Sequence, residues 1–459
     1  MSLGADPDVI RIGNCSGFYG DRAGAVREML EGGELDVLTG DYLAELTMLI
    51  LARDRLKEPS LGYAKTFVKQ MQDCLALALD RNVQIVVNAG GLNPAGLAQR
   101  LRAIADEQGL DARIAHLEGD EITGRATELG LGTPLAANAY LGAWGIVECL
   151  TAGADVVVTG RVTDASLTVA PAAAHFGWGR TDYDPLAGAV VAGHVIECST
   201  QATGGNFSRF TEIADMRRPG FPIAEIRRDG SSVITKHPGT GGAVTVDTVS
   251  AQLVYEIQSA RYAGPDCTTR LDTIALHDDG PDRVLITGVR GEAPPPQLKV
   301  SLNRLGGFRN EFEFVLVGLD IDAKADLVRT QLESWLVTRP AELDWELVRL
   351  DREDADTEQG AAALLRCVAR DTDPDVVGRA FTSAAVELAL ASYPGFFGTR
   401  PPANGSPYGV FTAGYVDQAA VTPIAVRADG TRVPIAPPAE TRALDSVAEI
   451  GRASCRERV

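Results

Sequence analysis

The chain has 459 residues, 45% hydrophobic and 23% charged, enough for two or three domains whose cores need no disulfides. Lys and Arg number 43 against 62 Asp and Glu; the formal charge of −19 argues against broad binding to nucleic acid or to an anionic membrane. No apolar run reaches the roughly 18 residues of a membrane span, and no basic-then-apolar leader opens the chain. The seven Cys include no CxxC pair and the five His form no HExxH, so neither a zinc ribbon nor a zinc-protease helix is expected. Free thiols in a reducing cytoplasm are the simplest reading.

In chain order the first half reads as strand-then-helix units. Val9–Asn14 is an apolar strand, and a helical pattern follows at Ala23–Leu30, stopped by Gly32-Gly33. Leu35–Leu38 is a second strand. Tyr42–Leu56 and Ala64–Arg81 are helices separated by Pro59. Val83–Asn88 is a third strand, and Pro94–Glu107 is a helix with Asn93 as N-cap and Pro94 at its first position. Ala112–Leu117 is a fourth strand, Ala136–Ala152 a helix and Asp155–Val158 a fifth strand before another helix. Apolar strands alternating with helices predict a parallel sheet covered on both faces. A doubly wound, Rossmann- or flavodoxin-like sheet is the preferred architecture, and part of a barrel is the alternative.

After about residue 230 paired strands replace the alternation. Leu271–Leu276 and Arg283–Val289 flank the hairpin signal at 277–281, and Pro294-Pro295-Pro296 marks an extended connector. Leu298–Leu302 and Asn310–Val317 read as strands around Gly306-Gly307, Asp322–Trp335 as a helix, Trp345–Leu350 as a strand and Asp373–Ala391 as a helix. The predicted organisation is an α/β core domain over 1–230 and a smaller α+β domain over 231–445 ending in Pro/Gly-rich loops. No internal repeat is visible. Residues 449–459, EIGRASCRERV, read as translated sequencing adapter and are set apart from fold reasoning.

Ligands of open parallel sheets bind outside the carboxyl ends of the strands. Here those exits are polar and Gly-rich: Asn14 to Arg22, Gly40-Asp41, Asn88 to Asn93, Glu118-Gly119-Asp120 and Gly160 to Ser166. Their convergence predicts a small-molecule site that uses Ser16, Gly17, Asp21, Arg22, Asp41, Asn88, Gly90, Gly91, Glu118 and Gly160; the alternative is ordinary turn chemistry. Gly90-Gly91 before a capped helix either offers N–H groups to an anion or makes a left-handed turn. Arg161 either clamps a substrate carboxylate or pairs structurally with Asp164, which is the candidate base. Cys15 and Ser16 have no neighbouring His to activate them. Asp21, Asp41, Glu118 and Asp120 have the donors for a hard cation, but spacing alone does not establish one, and no metal is expected.

Two further Gly-rich segments follow. Gly204, Gly205 and Asn206 come after the apolar run Val190–Ile196, and His237 opens HPGTGG ahead of a helix at Thr248–Gln258. HPGTGG lacks the Lys of a P-loop. Both segments can set backbone amides against a ligand at the domain boundary. His237 is the His that best suits acid–base work, the alternative being a surface turn; His194, inside the apolar run, reads as core.

Several segments resemble the acyclic terpene utilisation (AtuA) family: NCSGFYGDR (14–22), LDVLTGDYLAELTM (35–48), NAGGLNP (88–94), ADVVVTGRVTDASL (154–167), ATGGNF (202–207), HPGTGGAVTVDTVSAQLVYEI (237–257) and PPQLKVSLNRLGGFRNEFEF (295–314). The resemblance spans about 9–430 and implies a role beside the breakdown of citronellol- or geraniol-like terpenes and related branched acids. With no GxGxxG after a strand, the expected chemistry is non-redox: a hydratase, lyase or hydrolase acting on a prenyl-like carboxylate or acyl-CoA, with Asp164, Arg161 and His237 as catalytic residues. No cofactor is evident; CoA enters only as a substrate moiety. The expected partners are the small-molecule substrate, a second copy of the chain, or carboxylase- and hydratase-type pathway enzymes. The alternative is a non-catalytic binding or assembly subunit.

Overall fold

The computed structural model describes residues 8–257 and 259–444. The segment read as adapter-derived, 449–459, lies outside them. The chain divides into two compact units, one running to Asn303 and resuming at Phe411, the other Arg304–Val410.

The first unit is built on five parallel strands: β1 (Val9–Asn14), β2 (Val37–Gly40), β3 (Gln84–Val87), β4 (Ile114–Glu118) and, after the short β5 (Ala136–Ala139), β6 (Val156–Val158). They lie in the order β1-β2-β3-β6-β4. β7 (Pro222–Arg227) and β8 (Ser232–Lys236) extend the sheet antiparallel beyond β1, followed by the hairpin strands 284–287 and 275–278. Strands 424–426 and 432–434 close the other side. The result is a large mixed sheet and not a barrel. Part of the change of texture after residue 230 is thus a change from parallel to antiparallel pairing within this sheet, and the remaining later strands form two further sheets. Its order turns back at the β6–β4 step, not at the first strand as in a Rossmann sheet.

Both faces are covered, as the apolar strands require. Side chains alternate along each strand: Ile85, Val87, Val156 and Val158 pack with helices α1 (Ala25–Gly32), α3 (Lys65–Asp80) and α4 (Pro94–Gln108); α2 (Glu45–Lys57) lies between α1 and α3 in the chain. Val86 and Val157 face the other way, into the cluster that holds α5 (Trp144–Thr151), α6 (Ser166–Phe176) and α7 (Tyr183–Ile196). The start of α4 bears out its sequence signals: the Asn93 side chain accepts from Gly96 N at 2.9 Å, Pro94 is the first residue, and Gly109 ends the helix at φ +67°.

One element differs in kind from its prediction. Ala136–Ala139 is a strand and not the start of a helix; it pairs antiparallel with residues 300–303, and all four of its residues are buried. Ala is the best helix former, but propensity differences are under about 1 kcal/mol per residue, and burial against a partner strand overrides them.

In the second unit the part of strand Gln297–Val317 from residue 304 pairs antiparallel with strands 362–371 and 397–398, and strand 342–348 adds an edge. Helices Ile321–Trp335 and Arg379–Glu387 supply Ala325, Val328, Leu332, Phe381 and Ala385 to its core with Phe314 and Leu365. The helix expected over 373–391 is broken at Gly378; Asp373 accepts from Asp375 N at 2.9 Å and Pro374 opens the first piece.

Candidate functional site

β3 and β6 are neighbours, yet their chains leave to opposite faces. β3 feeds α4 in one core cluster and β6 feeds α6 in the other. Two exits that diverge in this way define a crevice position at the carboxyl ends of the strands, the usual ligand position in such sheets; here it is closely filled, with Asn88, Asp120 and Arg161 buried. The exits of β2, β3, β4 and β6 meet there. Asp41 accepts from Asn88 Nδ2 at 2.5 Å and from Leu43 N at 3.0 Å, and Asn88 Oδ1 accepts from Tyr42 N at 2.7 Å. Arg161 N donates to Asp120 Oδ2 at 2.9 Å, which also accepts from Asn138 Nδ2 at 2.9 Å. Gly90 N donates to Thr159 O at 3.0 Å and ties the two diverging exits together.

Arg161 is the hub. Its Nε donates to Val162 O at 3.1 Å, its Nη1 to Leu43 O at 3.2 Å and its Nη2 to Asp164. The guanidinium lies 4.4 Å from the centre of the Tyr140 ring. At 2% exposure it is committed to the protein, so it positions Asp164. Asp164 keeps 32% of its side chain exposed and is the partly open carboxyl of this network. Burial raises the Asp164 pKa above the ordinary carboxyl range against the pull of Arg161. Asp41 is raised further, by burial and then by the nearby Asp164 charge. Burial pushes Asp120 up to about 6. Gly160 is required here: a Cβ would come within 2.6 Å of Asp120 Oδ1.

The other predicted residues have different employment. Asp21 accepts from Gly17 N at 3.0 Å and Arg22 N at 2.7 Å, so it organises its own loop. Ser16 donates to Phe18 O at 3.0 Å, while its carbonyl accepts from Asp41 N at 3.0 Å. Arg22 pairs with Glu28 at 2.8 Å and donates to Pro219 O at 3.1 Å. Glu118 lies away from the crevice with His116 at 2.9 Å and Arg432 at 2.6 Å. The Gly90 and Gly91 N–H groups are both bonded to carbonyls, and Gly91 has φ +52°, which matches the left-handed-turn alternative. Gly204 and Gly205 donate to Gln201 O and Thr200 O within their own turn, and Asn206 is exposed. Among the described residues no three His, Cys, Asp or Glu side chains gather to hold a metal, so the four carboxylates considered for a cation do not converge.

His237 is not a surface turn residue. It is buried, its Nε2 lies 2.9 Å from Met29 O, and it fills the space beside Gly32 and Gly33. Burial lowers its pKa, and no hydrogen bond links it to Arg161 or Asp164 among the described residues. Cys15 is buried and donates to Thr39 O at 3.1 Å; burial pushes its thiol up to about 12, far from a nucleophile.

Four side chains at the crevice escaped the sequence reading: Asn138, Tyr140, Glu45 and Lys299. The Tyr140 hydroxyl lies 3.4 Å from Glu45 Oε1, and the exposed Lys299 holds its Nζ 4.7 Å from the Tyr140 ring centre. Glu45 and Lys299 stand inside two of the resembling segments, which was the available signal. Tyr140 was hidden by the helix expected over 136–152.

The sequence profile of the acyclic terpene utilisation family protein AtuA matches residues 10–426, and the chain belongs to that family. No curated protein matches it. Among the described residues no helix is long and apolar enough to cross a membrane.

Proposed function

We propose, from that membership, that the protein serves acyclic terpene utilisation as a non-redox acid–base enzyme of hydratase, lyase or hydrolase type. Its substrate is a branched, prenyl-like carboxylate or its CoA thioester, and its setting is the cytoplasm beside carboxylase- or hydratase-type enzymes. The polar head of the substrate lies at the β3–β6 crevice. Asp164 exchanges the proton, Arg161 fixes Asp164, and Lys299 meets the negative charge of the head. The observation that carries this reading is the gathering of Asp41, Asn88, Asp120, Arg161 and Asp164 at the divergence of β3 and β6, with Asp164 open to a ligand. A carboxyl raised by burial beside a fixed cation is suited to general acid–base work.

The test is incubation of the purified protein with prenyl-type acids and their CoA thioesters, followed by mass spectrometry of the products. Asp164→Asn is expected to lower turnover by about 10²- to 10⁴-fold without changing the circular dichroism spectrum. Undiminished turnover in that variant removes the assignment. Binding without turnover by the wild-type protein favours the non-catalytic subunit.

A further inference from the structure

The end of α7 carries a second polar group beside the crevice. His194 and Glu197 stand three residues apart, and His194 Nδ1 lies 3.0 Å from Glu197 Oε1. An Nδ1–H that donates to a carboxylate fixes the tautomer of a neutral ring and leaves the Nε2 lone pair as acceptor. His194 is 3% exposed, yet among the described residues its Nε2 has no partner, and neither does the buried Glu197 Oε2. Gln252, from helix α8 (Val246–Leu253), donates its Nε2 to His194 O at 3.2 Å, and its buried Oε1 is likewise without a partner among the described residues. Buried polar atoms are almost always satisfied, so three such atoms on neighbouring side chains point to a polar guest.

The surroundings connect this group to Asp164. A Cβ on Gly193 would meet Ala165 Cα at 2.9 Å, so α7 beside His194 rests directly on the loop that bears Asp164. A small hollow lies nearby, lined by Thr163, Ser166, Val190 and Tyr262; Thr163 is the neighbour of Asp164 in the chain, and Val190 stands one turn before His194. The Tyr262 ring lies 5.6 Å from the His194 ring. The ionisable groups that act on His194 are Glu197 on its own element, Glu256 beyond α8 and Asp164 on the facing loop; Tyr262 and Cys198 adjoin them. Burial opposes a charged ring, and the carboxylates, Glu197 first, outweigh it, so His194 titrates above its ordinary value.

We propose that His194, held by Glu197, takes a proton from water in a hydration whose second proton comes from Asp164; the inference rests on the acid–base reading of the Asp164 site. One water O–H bond breaks and its proton goes to His194 Nε2. The freed oxygen pair forms a C–O bond at the β-carbon of a conjugated branched acid or thioester. The displaced π pair takes a proton from the Asp164 carboxyl at the α-carbon. Imidazolium faces the Glu197 carboxylate, Asp164 is left ionised, and solvent returns the proton from one to the other. Buried, oriented His–carboxylate pairs commonly act in this way.

The test uses the full chain with His194→Asn, Glu197→Gln and Asp164→Asn. Conjugated prenyl-type thioesters are supplied in ¹⁸O-water, and the pH dependence of kcat/KM is recorded. Titration of ¹⁵N-labelled histidine by NMR, assigned with His194→Asn, gives a readout that needs no substrate. The expected results are ¹⁸O in the product, loss of about 10²- to 10⁴-fold in His194→Asn, and an acid limb that follows the NMR midpoint of His194. Both midpoint and limb move down in Glu197→Gln, because the charge that raises His194 is gone. If Asp164→Asn is inactive while His194→Asn keeps wild-type turnover and pH profile, the dyad is overturned and the Asp164 reading stands. If His194→Asn is inactive and Asp164→Asn is not, the Asp164 assignment fails, and with it Asp164 as the donor of the second proton. An NMR midpoint indifferent to Glu197→Gln also overturns the dyad. A wild-type protein that hydrates no member of the panel overturns the hydration.

Discussion

Replacing Asp120 with Asn tests whether the polar floor of the crevice is bought at a cost in stability. Asp120 is almost fully buried, and both of its hydrogen bonds, from Arg161 N and Asn138 Nδ2, end on Oδ2. One amide oxygen can accept both, so the substitution keeps the bonds and removes the ionisable group. Burial pushes this carboxyl from 3.8 up to about 6. An acid raised in the folded state favours folding below its unfolded pKa, and that advantage is lost as pH rises to the folded value. The full linkage is about 3 kcal/mol, roughly half of it arising between pH 5 and pH 8. The stability of Asp120→Asn relative to wild type is therefore expected to improve by about 1.5 kcal/mol from pH 5 to pH 8. Urea denaturation at the two pH values, followed by far-UV circular dichroism, measures it. A difference between variant and wild type that is the same at both pH values, or that moves the other way, refutes the reasoning.

Arg161→Met leaves Asp41 and Asp164 without their shared cation and is expected to cost about 3–5 kcal/mol at pH 8, and less at pH 5 where those raised carboxyls take up protons; denaturation midpoints check both. Cys15 is expected to resist a thiol reagent at pH 8 in the native protein and to react on unfolding; rapid native labelling at Cys15, located by peptide mapping, contradicts its burial. His237→Ala removes the bond to Met29 O and the packing against Gly32 and Gly33, for a loss of about 2–4 kcal/mol in stability. The pH profile of any turnover is expected to stay unchanged in that variant, and a lost limb would restore His237 to the chemistry.

Much of the crevice was legible in the chain. The five parallel strands announce themselves as short apolar runs because both faces of the sheet are covered, and the polar residues that follow each run are where such sheets bind ligands. Asp41, Asn88, Arg161 and Asp164 were chosen by that rule; at the β4 exit it chose Glu118, whereas Asp120 is the carboxyl that joins the group. Family membership was legible too, in segments such as NAGGLNP and TGRVTDASL, which keep their residues in fixed order along the chain.

What only the tertiary structure decided was employment and neighbourhood. Local spacing places a side chain on a loop, but not which of two nearby groups it bonds. Arg161 is spent inside the protein and Asp164 is left open because Leu43 and Tyr140, 118 and 21 residues away along the chain, close around the guanidinium. His237, attractive beside its glycines, is buried against α1, whereas His194 inside an apolar helix meets Glu197 and Gln252, whose Oε1 has no partner among the described residues. Ala136–Ala139 became a strand only because residues 300–303 came to pair with it. Each of these outcomes depends on contacts between distant segments, whose energies outweigh the local preferences that a sequence displays.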